Sequence, residues 1–227
     1  MPAVNDDALP EGYLLVPGLL SLEQRQVLID QLGALPAGTA GERELLDRPW
    51  CQALARRLTD HPALRLQLPA DAVAVQCTLF EKSTERNWLV FLHQDLVIPV
   101  AERVTHPALT VWSVKGGRHF VLAPPHLLAR MTALRLHLDD ATAADGGLRF
   151  VPGSHQAGVL DDAGALHWRH QAGEVAVDAR AGDALLMRPL VLHASSKATT
   201  TVGRRRVLHF LFGPAALPYG LRWAAHA

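Results

Sequence analysis

Apolar positions follow two different periods along the chain. Over the first seventy residues the spacing is helical. Gly12–Pro17 reads as a short strand, and Ser21 then opens a helix whose apolar stripe is Leu22, Val27, Leu28, Leu32 and Leu35, closed by Pro36. A second helix is predicted from about Pro49 to Leu58, with Leu54 and Leu58 on one face. From Asp71 the period shortens to two. Ala72–Phe80 (AVAVQCTLF) alternates, and further strands are expected at Trp88–His93, Met131–Leu138, Leu148–Val151, Glu174–Val177, Ala184–Met187, Leu190–His193 and Arg205–Phe212. Pro, Gly and Asp clusters separate most of these runs. Eight strands after a helical start predict a mainly β fold, an antiparallel sandwich or barrel with helices packed outside. The reading is one domain over residues 1–227, with a helical part to about residue 70 and a β core over about 71–212.

Composition narrows the function. Of 227 residues, 49% are hydrophobic and 19% charged, enough apolar material for a sizeable core. Lys and Arg total 22, and so do Asp and Glu, so nucleic acid is not an expected partner. Met1–Tyr13 lacks the basic and apolar regions of a signal peptide. No apolar run approaches the roughly 18 residues of a membrane span, so no membrane partner and a cytoplasmic location are expected. Cys51 and Cys77 cannot build a disulfide framework and read as buried apolar thiols. The 12 histidines stand out.

His93-Gln94-Asp95 ends a predicted strand, where residues i and i+2 share a face about 7 Å apart. An imidazole and a carboxylate so placed, joined by a histidine from a later strand, would form the facial triad of non-haem Fe(II) sites. One H-x-D is weak, and His137-Leu138-Asp139 is another. Four predicted strands separate His93 from the one ending at His193, which favours His93, Asp95 and His193 as the set.

The order of motifs adds to this. Gly12–Leu20, then His93-Gln94-Asp95, then Asp145-Gly146-Gly147-Leu148 running into Val151-Pro152-Gly153-Ser154-His155, then Gly182-Asp183 through His193-Ala194-Ser195, together resemble the phytanoyl-CoA dioxygenase family of Fe(II)/2-oxoglutarate oxygenases. The resemblance implies a double-stranded β-helix (a jelly-roll, cupin-like barrel), with Fe(II) on His93, Asp95 and His193 and with 2-oxoglutarate and O2 as cosubstrates. It places His137-x-Asp139 in a strand rather than at the metal. The arginine for the far carboxylate of 2-oxoglutarate falls in Gly203-Arg204-Arg205-Arg206. The family pattern, Arg, any residue, a small aliphatic, then strand, fits Arg205 with Val207 best, with Arg204 as the reserve, and alternation puts Arg204 and Arg206 on the opposite face. An arginine buried in so apolar a strand needs an anion, and a guanidinium suits a bidentate carboxylate.

Ser195 and Thr78 match cosubstrate contacts of the family. Arg135 and His137, sharing a strand face, are candidates for substrate contact, and His155 is read as a turn residue. The implied reaction is hydroxylation of an aliphatic C–H of a small molecule, with 2-oxoglutarate converted to succinate and CO2. Halogenating relatives carry a small residue where this chain has Asp95, which argues for hydroxylation. Substrate choice is assigned to a loop insertion, Leu96–Arg130, holding Trp112, Lys115, Arg118 and His119, and to Gly213–Ala227. Lys82 and Arg86-Asn87-Trp88 are expected at the rim. Two rivals remain: a cupin-like metal enzyme that does not use 2-oxoglutarate, and a non-catalytic β-barrel binding protein.

Overall fold

The computed structural model describes residues 9–35, 39–199 and 203–227, so the first eight residues and Pro36 lie outside it. Period-two segments become strands of a six-stranded antiparallel sheet. In spatial order these are β1 (Tyr13–Val16), β11 (Ala184–Met187), β8 (Thr132–His137), β13 (Arg205–Pro214), β3 (Ala72–Lys82) and β2 (Gly41–Glu42). A four-stranded sheet runs β10 (Val175–Ala176), β9 (Leu148–Phe150), β12 (His193–Ser195) and β4 (Val90–His93). The architecture is the mainly β, double-stranded β-helix arrangement expected.

The large sheet is apolar on both faces, and each face has its own cover. Cys77, Leu79, Leu134, Leu136, Leu208 and Phe210 point outward. Against them lie the buried faces of α1 (Leu22–Gln31) and α2 (Pro49–Thr59), including Leu28, Cys51, Leu54 and Leu58. Ser21 caps α1 with the reciprocal capping box that its Gln24 makes possible. Pro49 starts α2 where a missing N–H costs nothing, and α3 (Pro62–Arg65) follows the same rule. The inward face meets the small sheet through Ala133, Leu185, Met187 and Leu211 against Leu148 and Phe150.

Besides the short β2 and α3, which the sequence reading did not include, the structure differs from it in three places. Leu96–Arg130 is not one long loop. It holds a three-stranded sheet of β5 (Val97–Val100), β7 (Arg118–Leu122) and β6 (Trp112–Lys115), then the short α4 (Pro125–Leu128). Pro99 inside the first strand hid it, and Gly116-Gly117 is the hairpin turn, both glycines having positive φ. Helix α5 (Asp162–Ala172), capped by Asp161, was not expected, because it buries no residue and so shows no apolar stripe. Finally, Leu190–Leu192 are buried but precede the ladder, and β12 begins at His193 itself.

Candidate active site

Two strands of the small sheet bring the site together. His93 and His193 are direct cross-strand partners on β4 and β12, with ring centroids 4.2 Å apart. Asp95 follows β4 by two residues, and its backbone N–H donates to the Pro189 carbonyl at 2.8 Å. Its carboxylate oxygens lie 3.6 Å from His93 Nε2 and 3.7 Å from His193 Nε2. One ligand atom from each of the three lies within 4.8 Å of the others, so together they could hold a metal ion. Both imidazoles are already oriented. His93 Nδ1 contacts the Phe91 carbonyl at 2.8 Å and His193 Nδ1 the Val191 carbonyl at 3.0 Å. A carbonyl there takes the ring N–H and leaves Nε2 as the free ligand nitrogen.

The surrounding motif residues hold this geometry. Gln94 points away from the cavity, donating to the Leu190 and Gly158 carbonyls and accepting from Leu160 N–H. Ser154 accepts from Leu192 N–H at 2.8 Å and donates to the Val151 carbonyl at 2.7 Å, fixing the residue before His193. Asp183 receives the N–H groups of Gly18 and Arg180, closing the turn before β11. Gly146, with φ of 68°, brings its backbone where a Cβ would sit 2.6 Å from the Ser196 carbonyl and 2.9 Å from Lys82 Nζ.

A row of polar side chains from the large sheet faces the metal-ligand set. Paired residues point the same way, so the register stacks Lys82 with Arg205, Phe80 with Val207 and His137, and Thr78 with His209 and Arg135. The metal-side cavity, about 110 Å³, is lined by His93, Asp95, His193, Ser195, Arg135 and Arg205 together with Phe80, Trp88 and His209. Arg205 is 4% exposed, and its Nε and Nη1 have no hydrogen-bond partner. Arg204 is exposed, and Arg206 turns outward to pair with Asp139 at 2.8 Å. Arg135 is buried with its Nε unpartnered, while its Nη1 lies 3.3 Å from His209 Nδ1.

Thr78 is on the same sheet face but accepts from Gln76 and does not line this cavity. His137, buried with both ring nitrogens unpartnered, is likewise outside the lining. Trp112 lies further off on β6, donating to the Leu109 carbonyl. His155 stands in the short 3-10 turn Ser154–Ala157 beside Gly12. Lys82 is not at the rim: it is 1% exposed, donating to Ser195 Oγ at 3.0 Å and the Ser196 carbonyl at 2.6 Å. Trp88 does line the cavity, whereas Asn87 pairs with the Ala198 backbone. His209 was missed, although alternation from Arg205 through Val207 points to it.

The electrostatics divide the cavity. Burial works to raise Asp95, but His193 and His93 hold it well below the usual carboxylate range. Burial pushes His193 down to about 4 against the pull of Asp95, and His209 to about 3 with Arg135 adding to the effect. For His93 the contact with Asp95 outweighs burial and raises its pKa. On the opposite wall, burial and then mutual repulsion with Arg205 and Arg135 bring Lys82 down to about 7. Arg135 falls to about 9, again through burial and then Arg205. Burial brings Arg205 to about 10, with Asp145 opposing. Crowded, underpaired cations of this kind are the signature of an anion site.

The sequence family is decided by one comparison. A model of the phytanoyl-CoA dioxygenase (PhyH) family matches residues 10–207. The chain belongs to the phytanoyl-CoA dioxygenase family. It is therefore an iron- and 2-oxoglutarate-dependent oxygenase. Among curated proteins, none matches by sequence. Among solved structures, the fold is shared by HygX from Streptomyces hygroscopicus with nickel and 2-oxoglutarate bound, at TM-score 0.59 and 18% identity over 90% of this chain and 83% of that one. It is shared also by apo EctD from S. alaskensis, at TM-score 0.64 and 17% identity over 94% and 78%. The 2-oxoglutarate-dependent carbocyclase SnoK from nogalamycin biosynthesis aligns at TM-score 0.60 and 19% identity over 91% and 81%. Among the described residues, no helix is long and apolar enough to cross a membrane.

Proposed function

We propose that this family member hydroxylates an aliphatic C–H of a small molecule. His93, Asp95 and His193 hold Fe(II), and Arg205 binds the far carboxylate of 2-oxoglutarate. The observation that carries the reading is the pairing of two half-sites across one cavity. A set of two histidines and a carboxylate able to hold a metal faces a buried arginine with two unpartnered N–H-bearing nitrogens. A dicarboxylate spans such a pair: one end chelates the metal and the other neutralises the guanidinium.

When bound, the iron supplies the activation of O2 that drives decarboxylation of the cosubstrate. Overall, R–H, O2 and 2-oxoglutarate become R–OH, succinate and CO2, one oxygen atom going to each organic product. The protein's residues position and screen. Ser195, held by Lys82, presents its hydroxyl beside the metal ligands. Arg135 and Lys82 add positive potential that draws dianions into the cavity. Asp95 occupies a position where a halogenating relative would carry a small residue, which supports hydroxylation.

Anaerobic titration with Fe(II) and 2-oxoglutarate tests the reading. A weak visible metal-to-cosubstrate charge-transfer absorption is expected, followed by succinate release on admitting O2. No absorption at saturating cosubstrate sinks the proposal. A cupin-like enzyme not using 2-oxoglutarate would instead keep its activity when Arg205 is replaced by Ala.

A further inference from the structure

A second cavity reaches the metal-ligand set from the other side of Asp95. It has a volume of about 130 Å³ and shares Phe80, Asp95 and His209 with the first. From Asp95 it runs beneath the β5–β7–β6 sheet, between Ile98, Phe120, Leu128 and Met131, all at most 5% exposed. Arg43 and Lys115, both exposed, line it as well. A narrow continuation leads outward past the same two cations to Arg118 and Glu44. The chamber thus has three zones: a metal end, an apolar middle and a cationic outer end.

The cations at that end are not used by the fold. Arg118 nearby is paired with Glu44 and Asp47. Among the described residues, Arg43 and Lys115 have no ion-pair partner, and Lys115 Nζ instead leans 5.2 Å from the centroid of the Phe120 ring that forms the wall. Among the described residues, Asp95 is the one carboxylate lining this cavity, at the end away from Lys115, and Glu44, paired with Arg118, joins only in the outward continuation. A neutral polar substrate would waste the apolar walls, and a cationic one would be repelled at the mouth. Apolar walls with convergent charge at one end suit an amphipathic anion.

We propose that this chamber takes the prime substrate, a small acid whose apolar body lies against Ile98, Phe120, Leu128 and Met131. Its carboxylate or phosphate head group meets Arg43 and Lys115, and its far end presents the reacting C–H toward Asp95 and the metal. The proposal rests on the function proposed above and names the substrate class for that site.

The test uses protein loaded with Mn(II) and 2-oxoglutarate, with hexanoate, hexyl phosphate and hexanol as probes followed by proton NMR. Hexanoate or hexyl phosphate is expected to bind about three- to tenfold more tightly than hexanol, a margin that two exposed ion pairs can supply. Paramagnetic relaxation should be strongest at the terminal methyl, placing the head group away from the metal. Comparing the two acids tells a carboxylate site from a phosphate site. The double variant R43E/K115E, checked for folding by circular dichroism, should lose that preference for acids. Equal binding of hexanol and both acids, no binding at millimolar probe, strongest relaxation beside the head group, or an unaltered preference in the folded variant overturns the assignment. Failure of the underlying function is read separately, as the absence of charge transfer from the unaltered protein with Fe(II) and 2-oxoglutarate.

Discussion

At the scale of single residues, the site rests on a few groups whose surroundings set their charge. Arg205 is buried with unpartnered nitrogens, which is what supports the proposal that it binds a carboxylate. Arg205→Ala is expected to weaken 2-oxoglutarate binding by about 10- to 100-fold, the value of a charge-assisted hydrogen bond pair of roughly 1.5–3 kcal/mol. Metal affinity should barely move, which isothermal titration with Mn(II) checks. Lys82 carries a pH dependence. Its pKa is about 7 instead of the ordinary 10.5, so it is charged below neutrality and neutral above. The carboxylates of 2-oxoglutarate stay ionised throughout this range, so affinity should fall by a few-fold, about 1 kcal/mol, as pH rises through 7. Binding at pH 8 should take up a fraction of a proton, seen as a buffer-dependent heat, and Lys82→Met should abolish both effects. The positions of the candidate residues were partly legible in the sequence, because i, i+2 alternation is a local rule. It puts His93 and Asp95 on one face and separates Arg205 from Arg204 and Arg206, while the choice of Arg205 among the three came from the family pattern. Lys82 was not legible as a buried group, since a lysine beside Ser83 and Thr84 looks like any strand end.

At the scale of elements, polar motif residues outside the metal-ligand set act as clamps. Ser154, Gln94 and Asp183 spend their polar atoms on backbone groups flanking β12, β4 and β11. Removing the Ser154 hydroxyl strands the Leu192 N–H in a buried setting. Ser154→Ala is therefore expected to cost about 1–3 kcal/mol in urea unfolding, with weaker metal binding as His193 loses its anchor. Strand β12 shows why boundaries were harder to read than existence. Leu190-Val191-Leu192 has strand composition, yet the chain joins the ladder only at His193, where β4 and β9 flank it on both sides. The β5–β7–β6 sheet was hidden for the reverse reason. Its strands are four or five residues long, one contains Pro99, and their pairing with each other rather than with the main sheets leaves no long periodic signal.

At the scale of the whole molecule, the large sheet is a wall with two purposes. Its outer face is buried by helices, and its inner face is apolar at one end and cationic at the other. Metal and cosubstrate would tie that cationic end to β4 and β12 of the small sheet. At 100 times the dissociation constant a ligand adds about 2.7 kcal/mol, and for a chain of this size each kcal/mol is roughly 2–4 °C. Mn(II) with 2-oxoglutarate should thus raise the melting temperature by about 5–10 °C. The increment should shrink in Asp95→Asn and vanish on adding EDTA, as followed by differential scanning fluorimetry. Sequence alone determined the alternation of the strands, the helical cover, the H-x-D pair and the inward arginine, because each depends on neighbours within a few residues. Tertiary structure decided how closely Lys82, Arg135 and Arg205 were crowded, that His209 joined them, and that a second chamber opened behind Asp95. Those features arise where strands distant in the chain are paired and where a small sheet closes over them, and no local period encodes which distant strand will be the partner.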